Sequence, residues 1–146
     1  MTKTTMLPRL RRAAGLALVA MLAAGCQDTI VKAIGPENEP ELTVQANYFS
    51  YFADNMDNVY DEITAEFNFA DTAAAVIHRN FVHHGSGRLV LVDAVGDTVY
   101  NSGLEWNLDL KSQAGVPGRW KAFIGLYGAR GRVDVRVQTL DAPVED

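Results

Sequence analysis

Residues 62–69 read Glu-Ile-Thr-Ala-Glu-Phe-Asn-Phe. Every second side chain is apolar (Ile63, Ala65, Phe67, Phe69) and every intervening one is polar (Glu62, Thr64, Glu66, Asn68). A period of two is what a strand with one dry face and one wet face requires, because successive side chains leave opposite faces of a sheet. On a helix the same residues would scatter apolar groups around the whole cylinder. The stretch specifies a β-strand.

The same reading extends in both directions. Towards the N-terminus, Leu42–Phe52 (LTVQANYFSYF) places Leu42, Val44, Ala46, Tyr48 and Phe52 on one parity, and Thr43, Gln45 and Asn47 on the other. Towards the C-terminus come a less regular candidate, AAAVIHRNFV, and then RLVLVDA, apolar on both faces. Leu104, Trp106, Leu108 and Leu110 alternate with Glu105, Asn107, Asp109 and Lys111. RWKAFIGLY and RVDVRVQTL follow, the latter with Val133, Val135 and Val137 on one parity. Glycine and Asx residues punctuate these runs: the acidic stretch ADNMDNVYDE, Gly85-Ser86-Gly87, Asp93–Asp97, Asn101-Ser102-Gly103, Gly115–Gly118 and Gly128–Gly131 all carry turn chemistry. No amphipathic helix of useful length interrupts them. Seven or eight short strands over residues 42–141 predict an all-β antiparallel β-sandwich, immunoglobulin-like or jelly-roll-like, with a barrel as the alternative closure. Residues 142–146 form a tail.

The N-terminus has a different composition. Lys3, Arg9, Arg11 and Arg12 precede an apolar run from Ala13 to Ala24, and no acidic residue occurs before Asp28. That arrangement is the pattern of an export signal. The run is shorter than the roughly 20 residues a membrane-spanning helix needs. It ends in Leu22-Ala23-Ala24-Gly25-Cys26, and Cys26 is the single cysteine of the 146 residues. An unpaired thiol is unusual in an exported protein. This exit resembles the lipobox of bacterial lipoproteins, reached through Sec-type rather than twin-arginine export. The resemblance implies removal of residues 1–25 and covalent diacylglyceryl and acyl groups on Cys26. It also implies a cell-envelope location in the outer rather than the inner membrane, because Gln27 and not Asp follows the cysteine. Residues 26–41 would then be the lipidated cysteine and a flexible tether, rich in proline, glycine and acids. No other cofactor is expected. With the signal removed, the remaining 9 basic and 18 acidic residues leave a net charge of −9, which argues against nucleic acid as a partner.

GRLVLVDAVGDTVYNS and AGVPGRWKAFIGLYGARGRVDVRVQ resemble a group of small β-sandwich lipoproteins of bacteria. Shared turns and core positions carry the likeness, over roughly residues 45–138, and they imply a fold rather than an activity.

Three groups of side chains bear on chemistry. His78, His83 and His84 invite a metal reading, but on an extended chain His83 and His84 face apart. His78 would lie about 20 Å from His84 at 3.3 Å per residue, so solvated strand-end histidines are expected. Asp54, Asp57 and Asp61 make an oxygen-rich stretch of weak calcium character that lacks EF-hand spacing, and a solvated turn is expected. Ser86 lies beside His84 without a nucleophile elbow. The third group is aromatic. Trp106 and Trp120 fall on apolar parities and are expected in the core, whereas Phe49, Tyr51, Phe123 and Tyr127 fall on polar parities and would form a ligand platform. The sequence thus points to a membrane-anchored, non-catalytic binding or structural module that contacts an envelope protein or glycan. A metal-dependent or hydrolytic enzyme using the Asp54/Asp57/Asp61 or His78/His83/His84 groups is the alternative.

Overall fold

The computed structural model describes residues 31–141. They form seven antiparallel strands after a short 3₁₀ turn at Pro36–Asn38. The strands are β1 (Glu41–Gln45), β2 (Tyr48–Phe69), β3 (Ala75–His78), β4 (Phe81–Val92), β5 (Thr98–Gly103), β6 (Leu108–Lys111) and β7 (Gly118–Gln138). The expected all-β, sandwich-like architecture is what the chain adopts. It is built, however, by bending one sheet rather than by stacking two.

The bend follows from two very long strands. β2 and β7 pair along nearly their whole lengths, from Tyr48 opposite Gln138 to Phe69 opposite Gly118. In one layer the C-terminal part of β7 also pairs β3, which carries β6, while β1 borders the start of β2. In the other layer the N-terminal part of β7 pairs β4, which carries β5. Phe49 and Phe67 lie 18 residues apart on β2, about 60 Å along a straight strand, yet their rings stack at 5.8 Å. The backbone N–H of Asn47, just before β2, donates to the carbonyl of Asn68 near its end at 2.8 Å. β2 therefore doubles back on itself. The open side is laced by the Gln113 N–H donating to the Val99 carbonyl at 2.8 Å.

The corner is made by residues read from the sequence as turns. Asn55 and Asn58 in β2 and Gly85, Gly128 and Gly131 in β4 and β7 all take positive φ, and the strand registers shift among them. They are β-bulges inside continuous strands, where an extra residue bends the sheet. Gly131 has no alternative, since a Cβ there would collide with the Phe81 carbonyl. The Asp93–Asp97 hairpin does form as read. The buried Asp93 carboxylate accepts N–H bonds from Val95, Asp97 and, across to the next loop, Val116.

The core runs through both layers. Phe49, Phe67, Phe69 and Trp120 make consecutive ring contacts, surrounded by Leu89, Leu91, Ile124, Leu126 and the valines at 133, 135 and 137. The Trp120 indole N–H reaches the Val116 carbonyl at 2.8 Å, so its burial leaves no orphan donor.

Two parities are corrected. Leu42–Phe52 is a hairpin and not one strand: Ala46-Asn47 is the two-residue turn, with Asn47 at φ 62°, and Leu42 pairs Tyr51 while Val44 pairs Phe49. A hairpin with this register joins odd positions of one strand to even positions of the other. Phe49 and Tyr51 therefore belong to the core, 1% and 3% exposed, and form no platform. Trp106 is also reversed. β5 ends at Gly103 and β6 starts at Leu108 on a different neighbour, so Trp106 sits in the connection, 70% exposed.

Candidate functional site

The outer face of the β2–β7–β4–β5 layer carries the remaining platform residues. Strand alternation turns Phe123 and Tyr127 outward from β7, because Ala122, Ile124 and Leu126 are taken by the core. Register brings Thr64 and Val90 beside Phe123, and Tyr60 and Ser86 beside Tyr127. The result is a strip of three half-exposed aromatics, Tyr60, Tyr127 and Phe123.

Two glycines seat the tyrosines. A Cβ on Gly125 would come within 2.5 Å of the Tyr127 hydroxyl, so the Tyr127 ring lies across that position. A Cβ on Gly128 would come within 3.1 Å of the Tyr60 hydroxyl. A bare backbone under each ring lets it lie against the sheet. Beside Phe123 and Tyr127 a shallow open groove of about 160 Å³ is lined by Glu62, Thr64, Arg88 and Val90 among others. Ligand cavities that enclose a small molecule run to roughly 300–1,000 Å³. This face suits a partner that lies across it.

Charged groups frame the strip. Arg88 donates from Nε to the Asn101 side chain at 2.6 Å. Arg88 stands opposite Gly125, between the two rings. Beyond Phe123, Glu66 holds Lys121 at 2.9 Å and Arg119 at 3.6 Å, and the Lys121 ammonium draws the Glu66 carboxyl below the usual glutamate range. Aromatic faces flanked by fixed donors and acceptors can stack on apolar surface and hydrogen-bond at its margin.

Of the four platform residues expected from sequence, the structure brings Phe123 and Tyr127 together and removes Phe49 and Tyr51. Tyr60 was missed. It shares the parity of Glu62 and Thr64, and only the assumption that the acidic stretch was a turn kept it out of that strand.

The acidic stretch has a different task. Asp57 pairs with Lys32 at 2.8 Å and approaches Arg130 at 3.4 Å. Its carboxyl is held below the usual range chiefly by the Lys32 hydrogen bond. Asp61 accepts the Ile34 N–H at 3.0 Å. The Lys32 carbonyl accepts the Tyr60 N–H at 2.8 Å, and the buried Asn38 amide donates to the Asp54 and Asn55 carbonyls that the bulge frees from the ladder. Residues 31–40, expected to be part of a free tether, are a strap fastened to the corner of β2. The reading of Asp54, Asp57 and Asp61 as a solvated turn gives way to this one, since two of those carboxylates bind the strap.

The histidines separate. His83 and His84 are exposed, but His78 is fully buried, which corrects the strand-end reading for it. Its Nε2 lies 3.2 Å from the Tyr100 hydroxyl, and its Nδ1 is buried without a partner. Burial pushes the His78 pKa down to about 4. Among the described residues no three His, Cys, Asp or Glu side chains converge on one point, and no helix among them is long and apolar enough to cross a membrane. Cys26 and Gln27 lie outside the described residues.

No family model matches this chain, and no curated protein is significantly similar to it.

Proposed function

We propose that the protein is a lipid-anchored envelope lipoprotein that acts as a non-catalytic binding module, with Tyr60, Tyr127 and Phe123 as its contact surface. The observation that carries the binding role is the aromatic strip: three half-exposed rings on one outward face, two of them seated on glycines. An exposed aromatic face framed by charge marks interaction surfaces, where such rings anchor partners. The partner is an envelope protein or glycan that lies across the sheet. The anchor rests on the export signal and the Leu22–Cys26 exit, and Gln27 directs the protein to the outer membrane.

The enzymatic alternative draws less support. Asp57 and Asp61 bind the strap, and His78 faces Tyr100 within the core rather than His83 or His84.

Capture from envelope extract tests this reading. Residues 27–146 are used as bait beside the same chain with Tyr60, Phe123 and Tyr127 changed to Ala, after circular dichroism shows that both fold. A protein or glycan retained by the first bait and lost by the second supports the strip as the contact surface. Identical capture by both baits contradicts it.

A further inference from the structure

We propose that the bulged corner of the sheet is the side this domain turns to the phospholipid surface, with Phe81, His83 and Arg132 meeting the headgroups. The proposal rests on the reading of Cys26 as the acylated residue.

The strap restricts which side of the domain can approach a leaflet. Between Lys32 and Ile34 the chain is fixed to β2 by the Lys32 N–H and carbonyl, the Lys32–Asp57 ion pair and the Ile34–Asp61 bond. Six residue steps separate Cys26 from Lys32, which is about 20 Å at full extension. A folded domain of this size is about 35 Å across. An anchor at Cys26 therefore cannot let the far side of the domain reach the membrane, and it holds the strap side close. The free tether of 15 residues expected from sequence would have allowed any face.

The groups exposed at that corner suit an interface. Phe81 opens β4 and is 65% exposed. Val82 is buried between Phe81 and His83, so both turn outward, and their rings lie 5.5 Å apart. Arg132 is the cross-strand partner of Phe81 and is exposed. From Lys32 through Val59 and Ala129 to β4 is three strand spacings, about 15 Å. An aromatic ring that can enter the headgroup layer, beside a guanidinium that can pair with phosphate, is the usual interfacial combination. The aromatic strip then rises away from the leaflet, from Tyr60 at the corner, opposite Tyr127, to Phe123 four residues and about 13 Å farther along β7, and stays open to a partner.

Energy transfer on the acylated full-length chain tests the orientation. With Cys26 in thioether linkage, an introduced cysteine is the single thiol of the chain. His83→Cys places a donor dye at the corner, and Val95→Cys places one on the exposed hairpin tip, about 30 Å along β4. Both proteins are inserted into phosphatidylethanolamine/phosphatidylglycerol vesicles that carry an acceptor on the headgroup. Transfer several-fold stronger from position 83 than from position 95 is expected. Adding Asp61→Ala and Lys32→Ala should loosen the strap and bring the two signals together. Equal transfer, or stronger transfer from position 95, in a chain that floats with the vesicles overturns the orientation and leaves the anchor standing. A chain that lacks the acyl mass and fails to float overturns both.

Discussion

His78 in β3 and Tyr100 in β5 meet across the interior, ring Nε2 to hydroxyl at 3.2 Å, and join the two layers of the bent sheet through a polar contact sealed from water. Burial holds the His78 pKa near 4, against about 6.5 in an unfolded chain. The folded state therefore binds fewer protons than the unfolded state between those values, and stability falls as pH drops from 6.5 towards 4. By pH 4.5 the loss amounts to about 2–3 kcal/mol. Urea unfolding at pH 7.0 and 4.5 should show this difference. It should shrink by about that amount in a His78→Leu/Tyr100→Phe double variant, which removes both polar partners together and leaves only the smaller loss from carboxylates such as Asp57 and Glu66.

The corner glycines are predicted to be unequal to the hairpin glycine. Gly131 and Gly96 take φ of 118° and 98°, so an added side chain is strained by about 1–2 kcal/mol at either place. A Cβ at Gly131 also strikes the Phe81 carbonyl, whereas nothing lies within 4 Å of one at Gly96. Thermal melts should place Gly131→Ala well below Gly96→Ala. Equal melting temperatures would mean that the strands separate freely at the bulge.

Gly125→Ala is predicted to separate binding from folding. Its Cβ would meet the Tyr127 hydroxyl, the end of a side chain with room to swing outward. The melting temperature should stay within a few degrees of the parent, while Tyr127 side-chain resonances shift and partner retention falls.

The strap should register in amide exchange. The Ile34 and Tyr60 N–H groups are bonded to Asp61 and Lys32 respectively. In an Asp61→Ala variant both should exchange faster, Ile34 by tenfold or more, with the core amides of β7 unchanged. The Lys32–Asp57 pair is exposed and by itself should add little to stability.

Alternation of side chains was sufficient to read the strand class and the dry faces of Ile63–Phe69 and Val133–Val137. Chain reversals were less legible, for a specific reason. Asn55, Asn58, Gly85, Gly128 and Gly131 supply positive φ, and positive φ is required equally by a turn that ends a strand and by a bulge that only bends it. Long-range pairing decides between the two, and no local window contains it. The same ambiguity hid the Ala46-Asn47 hairpin, which inverted the parity of Phe49 and Tyr51, and it kept Tyr60 out of the strip. His78 and Trp106 were misplaced because exposure at a strand end depends on which neighbour crosses it. The strap was illegible for a similar reason: Pro36, Glu37, Glu39 and Pro40 have the composition of a free linker, and the groups that hold the strap lie some 16 to 27 residues away.

The binding face is tested most directly by hydroxyl-radical footprinting in intact cells. Tyr60, Tyr127, Phe123 and Trp106 are all exposed in the isolated domain, so all four should oxidise readily in the purified protein. The account predicts that the first three are protected several-fold in the cell envelope while Trp106 stays reactive. Unchanged oxidation of Tyr60, Tyr127 and Phe123, or protection of Trp106 in their place, would contradict it.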